Sequence, residues 1–374
     1  MSAASEHDLI VIGAGIVGLA HALAGARRGR RVLVVDRDSQ ANGASVRNFG
    51  FVTITGQQRG GVWRMARRSA AIWRDIAAQA GITIAQEGLL MVAQTPEAAA
   101  VLEIFVQTEM GEGCQLLTPA EARAHCPALR SNVVAALLSQ VDLRVESRTA
   151  IPLLAGWLEE GLAVTFRRGT AAAAIEPGCV RFSDGTAARA PAIVVCPGDD
   201  WASLFPEDYA SAGITRCQLQ MMRLGAPGWR LPAPVMTDLS LVRYLGYAEL
   251  PAAEALRQRL LAEAPYEVEQ GIHLIAVQNA DGSLVVGDSH SYAPTPEPFA
   301  STAIDDAILR QFEALFGRAP PVTHRWIGSY ASGPEHSIVR NPLPGVKLVV
   351  VTSGTGASTA FALAEQVIDT IVPA

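Results

Sequence analysis

The chain has 374 residues, 49% hydrophobic and 18% charged, with a formal net charge of −6; that length suits two domains with large cores, and the balance excludes a disordered chain. No Lys/Arg cluster stands against the acidic charge, so a nucleic-acid partner is excluded, Arg67 and Arg68 falling on a helical pattern as a solvated face. The five cysteines, Cys114, Cys126, Cys179, Cys196 and Cys217, are odd in number and widely spaced with no C-x-x-C, which argues against disulfides and a zinc cluster and for a reducing compartment without metal.

The first apolar run, Leu9 to Ala24, follows Glu6 and Asp8 rather than Lys/Arg and is broken by glycines. It therefore reads as neither a signal peptide nor a membrane span, and the expected location is cytoplasmic. Asp8 to Gly13 is a short buried parallel strand. Gly13-Ala14-Gly15-Ile16-Val17-Gly18 follows, then a helix from Leu19 to Arg28 closed by Gly29, then a strand from Arg31 to Asp36. Strand, G-x-G-x-x-G, helix, strand and acid make up the dinucleotide fingerprint in its full context. Gly13 permits the tight turn, Gly15 lets the backbone approach a pyrophosphate, and Gly18 lets the helix pack on the strand. The helix N-terminus offers N–H groups to phosphate, and Asp36 accepts from ribose hydroxyls. The bland alternative is a glycine-rich turn with no ligand. The fingerprint alone does not separate FAD from NAD.

The next residues run Arg37-Asp38-Ser39-Gln40-Ala41-Asn42-Gly43-Ala44-Ser45-Val46-Arg47-Asn48-Phe49-Gly50. With the fingerprint, they resemble the D-amino-acid oxidase-like superfamily of FAD oxidoreductases, which includes glycine oxidase and sarcosine oxidase. The resemblance implies an α/β fold: a Rossmann-type FAD-binding domain of the D-amino-acid oxidase type with an inserted antiparallel-sheet substrate domain. It implies that Gly43-Ala44-Ser45 runs under the FAD pyrophosphate, that Arg37 sits beside the ribose acid, and that Arg47 and Asn48 reach the isoalloxazine. The family often has Glu where this chain has Asp36, a shorter acid that still reaches a ribose.

Further along, Ile82 to Val92 is strand-like, Pro96 to Gly111 and Thr118 to His125 helix-like, and Val133 to Val145 strand-like. Leu162 to Ile175 resembles the family's adenine-contacting strand and turn, which implies Ala172 beside the adenine. Asp184-Gly185 after Val180-Arg181-Phe182 is a hairpin signal. Ala190 to Gly198, followed by Asp199-Asp200-Trp201, resembles the strand and turn before the flavin, with Gly198 and Trp201 as cofactor contacts. Thr215 to Leu224 alternates loosely and Leu241 to Tyr247 is strand-like. His273 to Val277 and Ser283 to Gly287 flank the hairpin turn Asn279-Ala280-Asp281-Gly282. Val346 to Thr352 is a strand, Ser353-Gly354-Thr355-Gly356-Ala357-Ser358-Thr359 a small-residue turn, and Ala360 to Ile371 a helix. The family aims that helix N-terminus at the flavin pyrimidine edge, where it stabilises the anion of the reduced ring. The resulting expectation is an FAD-binding domain of residues 1–82, 147–214 and 328–374, with a substrate domain of 83–146 and 215–327.

No Ser-His-Asp, paired-carboxylate or metal constellation is evident, as expected where a flavin does the hard chemistry and the protein supplies placement. In the glycine oxidase branch a W-x-G-x-R-P stretch offers an Arg to the substrate carboxylate. Here the stretch is Arg325-Trp326-Ile327-Gly328-Ser329-Tyr330-Ala331, and Tyr330 replaces that Arg. A tyrosine makes no bidentate salt bridge, so an anion is held elsewhere, with Arg243, Tyr244, Tyr247, His290, Arg325 and Arg340 as candidates. Ser329 to Gly333, Thr352 to Thr359 and Gly287-Asp288-Ser289-His290 resemble a branch associated with aminophosphonate breakdown. The catalytic candidates are His290, Tyr330, Arg243, Tyr247 and Asn48. Their bland readings are a loop cap for His290, packing for Tyr330 and an internal salt bridge for Arg243. Trp201 and Trp326 read as core aromatics near the cofactor and Cys217 as a buried small hydrophobe. No cysteine follows Cys217, so FAD is expected to bind non-covalently. The reading is oxidation of a small amine by hydride transfer to flavin N5, giving an imine and then a carbonyl, with electrons passed to oxygen or another acceptor. One alternative is a 2-hydroxyacid oxidase or dehydrogenase with His290 as base. Others are a non-catalytic flavin-binding subunit or redox sensor, and a colourless NAD dehydrogenase. A homo-oligomer is compatible with the sequence.

Overall fold

A computed structural model describes residues 7–130 and 132–371. Glu6 and the outermost ends of the expected FAD-binding segments lie outside the described residues. The first strand, Leu9–Ile12, is flanked by parallel Val32–Val35 and Ala192–Val195; Thr165–Arg167 and Val346–Ser353 extend the parallel set on either side. Its three central strands, Leu9–Ile12, Val32–Val35 and Ala192–Val195, are buried on both faces, which is why they read as continuous apolar runs. Leu9, Val11, Val32 and Val34 face the helices Ile16–Arg27, Gly61–Gln79 and Gly356–Ile371. Ile10, Ile12, Leu33 and Val35 face the other side, packing with Val180, Phe182 and Tyr209 of the layer that holds a separate three-stranded antiparallel sheet.

One strand joins this half to the rest. Val322–Leu343, 22 residues long, runs antiparallel to Val346–Ser353 at one end and to Thr215–Leu224 at the other. The sheet continues through Leu284–Gly287, Ile275–Gln278, Val235–Met236, Ile84–Ala93, Ala135–Val145 and Phe51–Val52. Helix Thr302–Phe316 closes a second core around Leu90, Met222, Leu284, Val286 and Phe312. No helix among the described residues is long and apolar enough to cross a membrane, and all five cysteines are free.

Three expectations about elements are corrected. Leu241 to Tyr247 is not a strand but parts of two short helical turns, Asp238–Leu241 and Leu245–Ala248. The cause is tertiary: Gly246 passes so close to the 56–57 backbone that a Cβ there would lie 2.4 Å from the Gln57 carbonyl oxygen, and Tyr247 is fully buried 4.5 Å from the Phe105 ring. The last helix begins at Gly356 rather than Ala360, because the N–H groups of Ser358 and Thr359 already donate to the Thr355 carbonyl. The stretch Pro96 to Gly111 breaks into Pro96–Val106, capped by Thr95, and a single tight turn Glu109–Gly111.

Candidate active site

A cleft of about 730 Å³ opens beyond the carboxyl ends of Leu9–Ile12 and Ala192–Val195 and runs into the antiparallel half. That is the place where open α/β sheets put their ligands, and the volume falls in the range of small-molecule sites. Gly13, Gly15, Ile16, Val17, Gly18, Asp36, Arg37, Ala44, Ser45, Arg47, Asn48, Ala172 and Gly198 all line it. Gly18 is held by geometry, since a Cβ would sit 1.8 Å from the Gly13 carbonyl oxygen. Asp36 accepts from Ala14 N–H at 2.6 Å and Asp38 N–H at 2.8 Å, fixing the carboxylate beside the glycine turn. Ala14 itself is off the lining and acts through that bond. Ser45 Oγ accepts from Ile16 N–H at 2.9 Å and ties its loop to the first helix's N-terminus. Asn48 is occupied within the same loop: Nδ2 donates to the Ala44 carbonyl and Oδ1 accepts from Gly50 N–H, each at 2.6 Å. Its side chain shapes the loop on the cleft wall. Arg37 pairs with Asp200 at 2.6 Å.

Gly354, Thr355, Gly356, Ala357 and Ser358 bring the last helix's N-terminus to the cleft. Thr359 is turned inward, its Oγ1 donating to the Thr355 carbonyl at 3.0 Å. Trp201 is also off the lining; it packs on Tyr209 and under the Arg216 guanidinium, 4.0 Å away. Trp326 donates its indole N–H to the Arg47 carbonyl at 3.3 Å. His336, not singled out in the sequence, lines this region with Nε2 2.8 Å from Thr355 Oγ1, and burial pushes its pKa down to about 4.

The far end gathers Arg243, Tyr244, His273, Asp288, His290, Tyr292 and Tyr330. Strand register does the gathering. Cys217 pairs with Tyr330 on one neighbouring strand and with Tyr292 on the other, so the three form one cross-strand row. Cys217 is fully buried, as expected of a small hydrophobe. Arg243 donates to Tyr292 Oη at 2.8 Å. Burial would lower its pKa, but Tyr292, Tyr330 and Asp288 hold it above the ordinary value. Burial, with Cys217 close by, pushes the Tyr330 phenol well up, so it stays a hydroxyl donor.

His273 Nε2 lies 3.1 Å from Asp288 Oδ1, and His290 Nε2 lies 3.7 Å from Asp288 Oδ2. All three residues are buried. Burial pushes His290 down to about 3, with Arg243 adding to the effect against the pull of Asp288. Burial would raise Asp288, but His290, His273 and Arg243 together hold it below the usual carboxylate value. The donor atoms of His273, Asp288 and His290 lie within 4.8 Å of one another. The sequence suggested no such constellation; the neighbouring Arg243 guanidinium works against a second positive charge of metal type. Asp288 and His273 carried no assigned role in the sequence. Two signals existed: Asp288 and His290 are two apart in an extended segment, and the hairpin turn brings 273 opposite 288.

Tyr247, Arg325 and Arg340 are not brought to the cleft. Tyr247 packs on Phe105, Arg325 pairs with Asp305 at 2.6 Å, and Arg340 lies 3.5 Å from Glu335.

The profile of the DAO family, described as FAD dependent oxidoreductase, matches residues 8–370. No curated protein matches. Among solved structures, glycine oxidase from Bacillus cereus superposes with a TM-score of 0.78 at 18% identity, covering 98% of this chain and 95% of that one. L-proline dehydrogenase from P. horikoshii gives 0.79 at 20% identity, covering 98% and 94%. Iminodiacetate oxidase from Chelativorans sp. gives 0.72 at 18% identity, covering 97% and 95%. At these identities the likeness is one of fold.

Proposed function

Since the chain belongs to the DAO family of FAD-dependent oxidoreductases, we propose that it oxidises a small amine bearing an anionic group, an amino acid or an aminophosphonate such as 2-aminoethylphosphonate or its N-methyl form. The cleft fits FAD on its own terms: a glycine turn with no room for a Cβ, a fixed carboxylate at the tip of the second strand, and two helix N-termini facing one space. Bound there, FAD supplies a two-electron acceptor for a C–H hydride. The amine becomes an imine and then, on hydrolysis, a carbonyl compound.

One observation carries the substrate class. Arg243, Tyr292 and Tyr330 supply a cation and hydroxyls at the same end of the cleft as Asp288 and His290. A zwitterion matches that pairing of donors and acceptors. Three phosphonate oxygens can engage the Arg243 guanidinium and the separate hydroxyls of Tyr292 and Tyr330 at once. The named substrates of two structural neighbours, glycine and iminodiacetate, are both amines carrying carboxylate, which agrees. The proposal includes non-covalent FAD, the division into residues 1–82, 147–214 and 328–374 against 83–146 and 215–327, and a cytoplasmic location with oxygen or another acceptor taking the electrons.

The test is anaerobic titration of the yellow protein with 2-aminoethylphosphonate, its N-methyl form, glycine, sarcosine, D-alanine and 2-hydroxyglutarate. Bleaching by aminophosphonates alone supports the phosphonate reading. Bleaching by glycine or D-alanine shifts it to amino acids. The runner-up, a 2-hydroxyacid substrate, is favoured by the lone pair His290 offers at Nε2, and bleaching by 2-hydroxyglutarate alone would put it first.

A further inference from the structure

Resting on that reading, we propose that Asp288 and His290 form an acceptor pair for the substrate's ammonium group, with His290 Nε2 taking the proton that leaves before the C–H bond breaks. The argument starts from donors and acceptors. His290 Nδ1 lies 2.9 Å from the Gly271 carbonyl oxygen, which can only accept. Nδ1 therefore carries the single proton of the neutral ring, and Nε2 presents a lone pair. That lone pair lies 3.7 Å from Asp288 Oδ2, one acceptor beside another. The other carboxylate oxygen faces His273 Nε2 at 3.1 Å, and His273 Nδ1 lies 3.1 Å from Ser240 Oγ, whose hydroxyl can donate to it. Tyr244 stands edge-on to the His273 ring at 5.7 Å. His273 thus stands beside Asp288 Oδ1 without hydrogen-bonding it. Asp288 Oδ1 is a buried acceptor with no hydrogen-bond partner; such a group calls for a donor, and an ammonium group brings up to three N–H bonds.

Arg243 makes the pair responsive. Burial keeps His290 neutral in the free protein, and the Arg243 charge adds to it against the pull of Asp288. A substrate anion seated on Arg243, Tyr292 and Tyr330 offsets that charge, so the proton affinity of His290 rises as the ammonium arrives. The ammonium N–H bond then breaks, its electron pair stays on nitrogen, and the proton rests on His290 Nε2 beside Asp288. Bound FAD would supply the acceptor for the hydride leaving the adjoining carbon, and the freed nitrogen lone pair would form the C=N bond. The groups that act on His290 and Asp288 are Arg243, His273, Tyr244 and Cys217, with Tyr292 and Tyr330 lining the same cleft.

The experiment uses the flavin-loaded enzyme and its Asp288→Asn and His290→Gln variants. Rapid flavin reduction by 2-aminoethylphosphonate, glycine and sarcosine is followed from about pH 7 to about pH 10, near the pKa of a simple amine. The wild type is expected to keep a nearly flat kcat/KM below the amine pKa. Each variant should lose roughly tenfold per pH unit below it and recover near pH 10, because only pre-neutralised amine reacts. Ethylphosphonate and propionate, which lack the amine, should perturb the flavin spectrum of Asp288→Asn at wild-type concentrations. Equal losses for aminated and deaminated ligands would mean a structural role and overturn the proposal. So would wild-type pH profiles in both variants. If Asp288→Asn does not retain flavin, His290→Gln decides alone. A stoichiometric bound metal whose chelation abolishes turnover would make the cluster a metal centre instead. A wild type that no amine bleaches sinks the proposed function; a wild type that amines bleach, with unaltered variants, sinks this inference only.

Discussion

Arg243 offers an incoming anion a charge that is already oriented, since its guanidinium is half-buried and tied to Tyr292. Arg243→Met should therefore raise KM for anionic amines about 100-fold, in line with the roughly 2–5 kcal/mol that truncating a buried charge partner costs. The effect on kcat should be smaller. Steady-state kinetics on the amine that bleaches the wild type best checks this; an unchanged KM would move the anion site elsewhere. Asp142 illustrates a structural counterpart. Fully buried, it accepts from Ile54 and Thr55 N–H and from the Thr55 and Ser139 hydroxyls. Asp142→Ala strands these donors beneath the Thr53–Gln57 wall of the cleft and should cost on the order of 3 kcal/mol, read as a lower melting temperature with weaker flavin retention. At this scale the sequence exposes residues whose role is set by neighbours along the chain: the Gly13–Gly18 turn, Asp36 and Ser45 all reach the cleft. It hides residues whose role depends on pairing across strands. Tyr292 comes into view only because Cys217 aligns it with Tyr330, which the sequence does single out, and His273 only because the hairpin carries it to Asp288.

Elements follow the same division. Strands buried on both faces, and the first and last helices, were legible because their apolar runs and glycine punctuation are local. Leu241 to Tyr247 reads as a strand because it is rich in branched and aromatic residues, while what fixes it is the contact of Gly246 with the 56–57 backbone and the burial of Tyr247. Leu245 is 48% exposed and Arg243 faces the cleft, a pattern of short turns that seven residues are too few to distinguish from a strand. The entry to the last helix is equally dependent on a distant partner. Gly354 adopts φ +73°, and a Cβ there would lie 2.9 Å from the Tyr330 ring. Gly354→Ala forces either the turn or the tyrosine to move. It should weaken FAD binding at least tenfold, measured by equilibrium dialysis, while costing only about 1–2 kcal/mol of fold stability. Wild-type FAD affinity would show that this turn does not set the position of the helix N-terminus at the cleft.

For the whole molecule, the decisive feature is that one sheet serves both halves. Val322–Leu343 pairs with the parallel set at one end and with the antiparallel set at the other, and the cleft takes residues from both. Neither half can lose its strands without exposing the edge of the other, so thermal unfolding is expected in a single transition; two resolved transitions would mean that the halves fold independently. If FAD binds in that cleft as proposed, it stabilises only the intact arrangement. At a concentration about 100 times its Kd, the ligand adds roughly 2.7 kcal/mol. Unfolding entropy is near 2 cal/mol/K per residue, which for a chain of 374 residues converts that energy to a rise of about 3 °C in Tm. Flavin-stripped protein should show this rise on adding FAD, and none on adding NAD at the same concentration. A Gly18→Ala variant has no space for its Cβ against the Gly13 carbonyl, so if it folds it should melt lower and gain nothing from FAD. A full FAD-dependent rise in that variant would mean that the glycine turn is not where the dinucleotide is held.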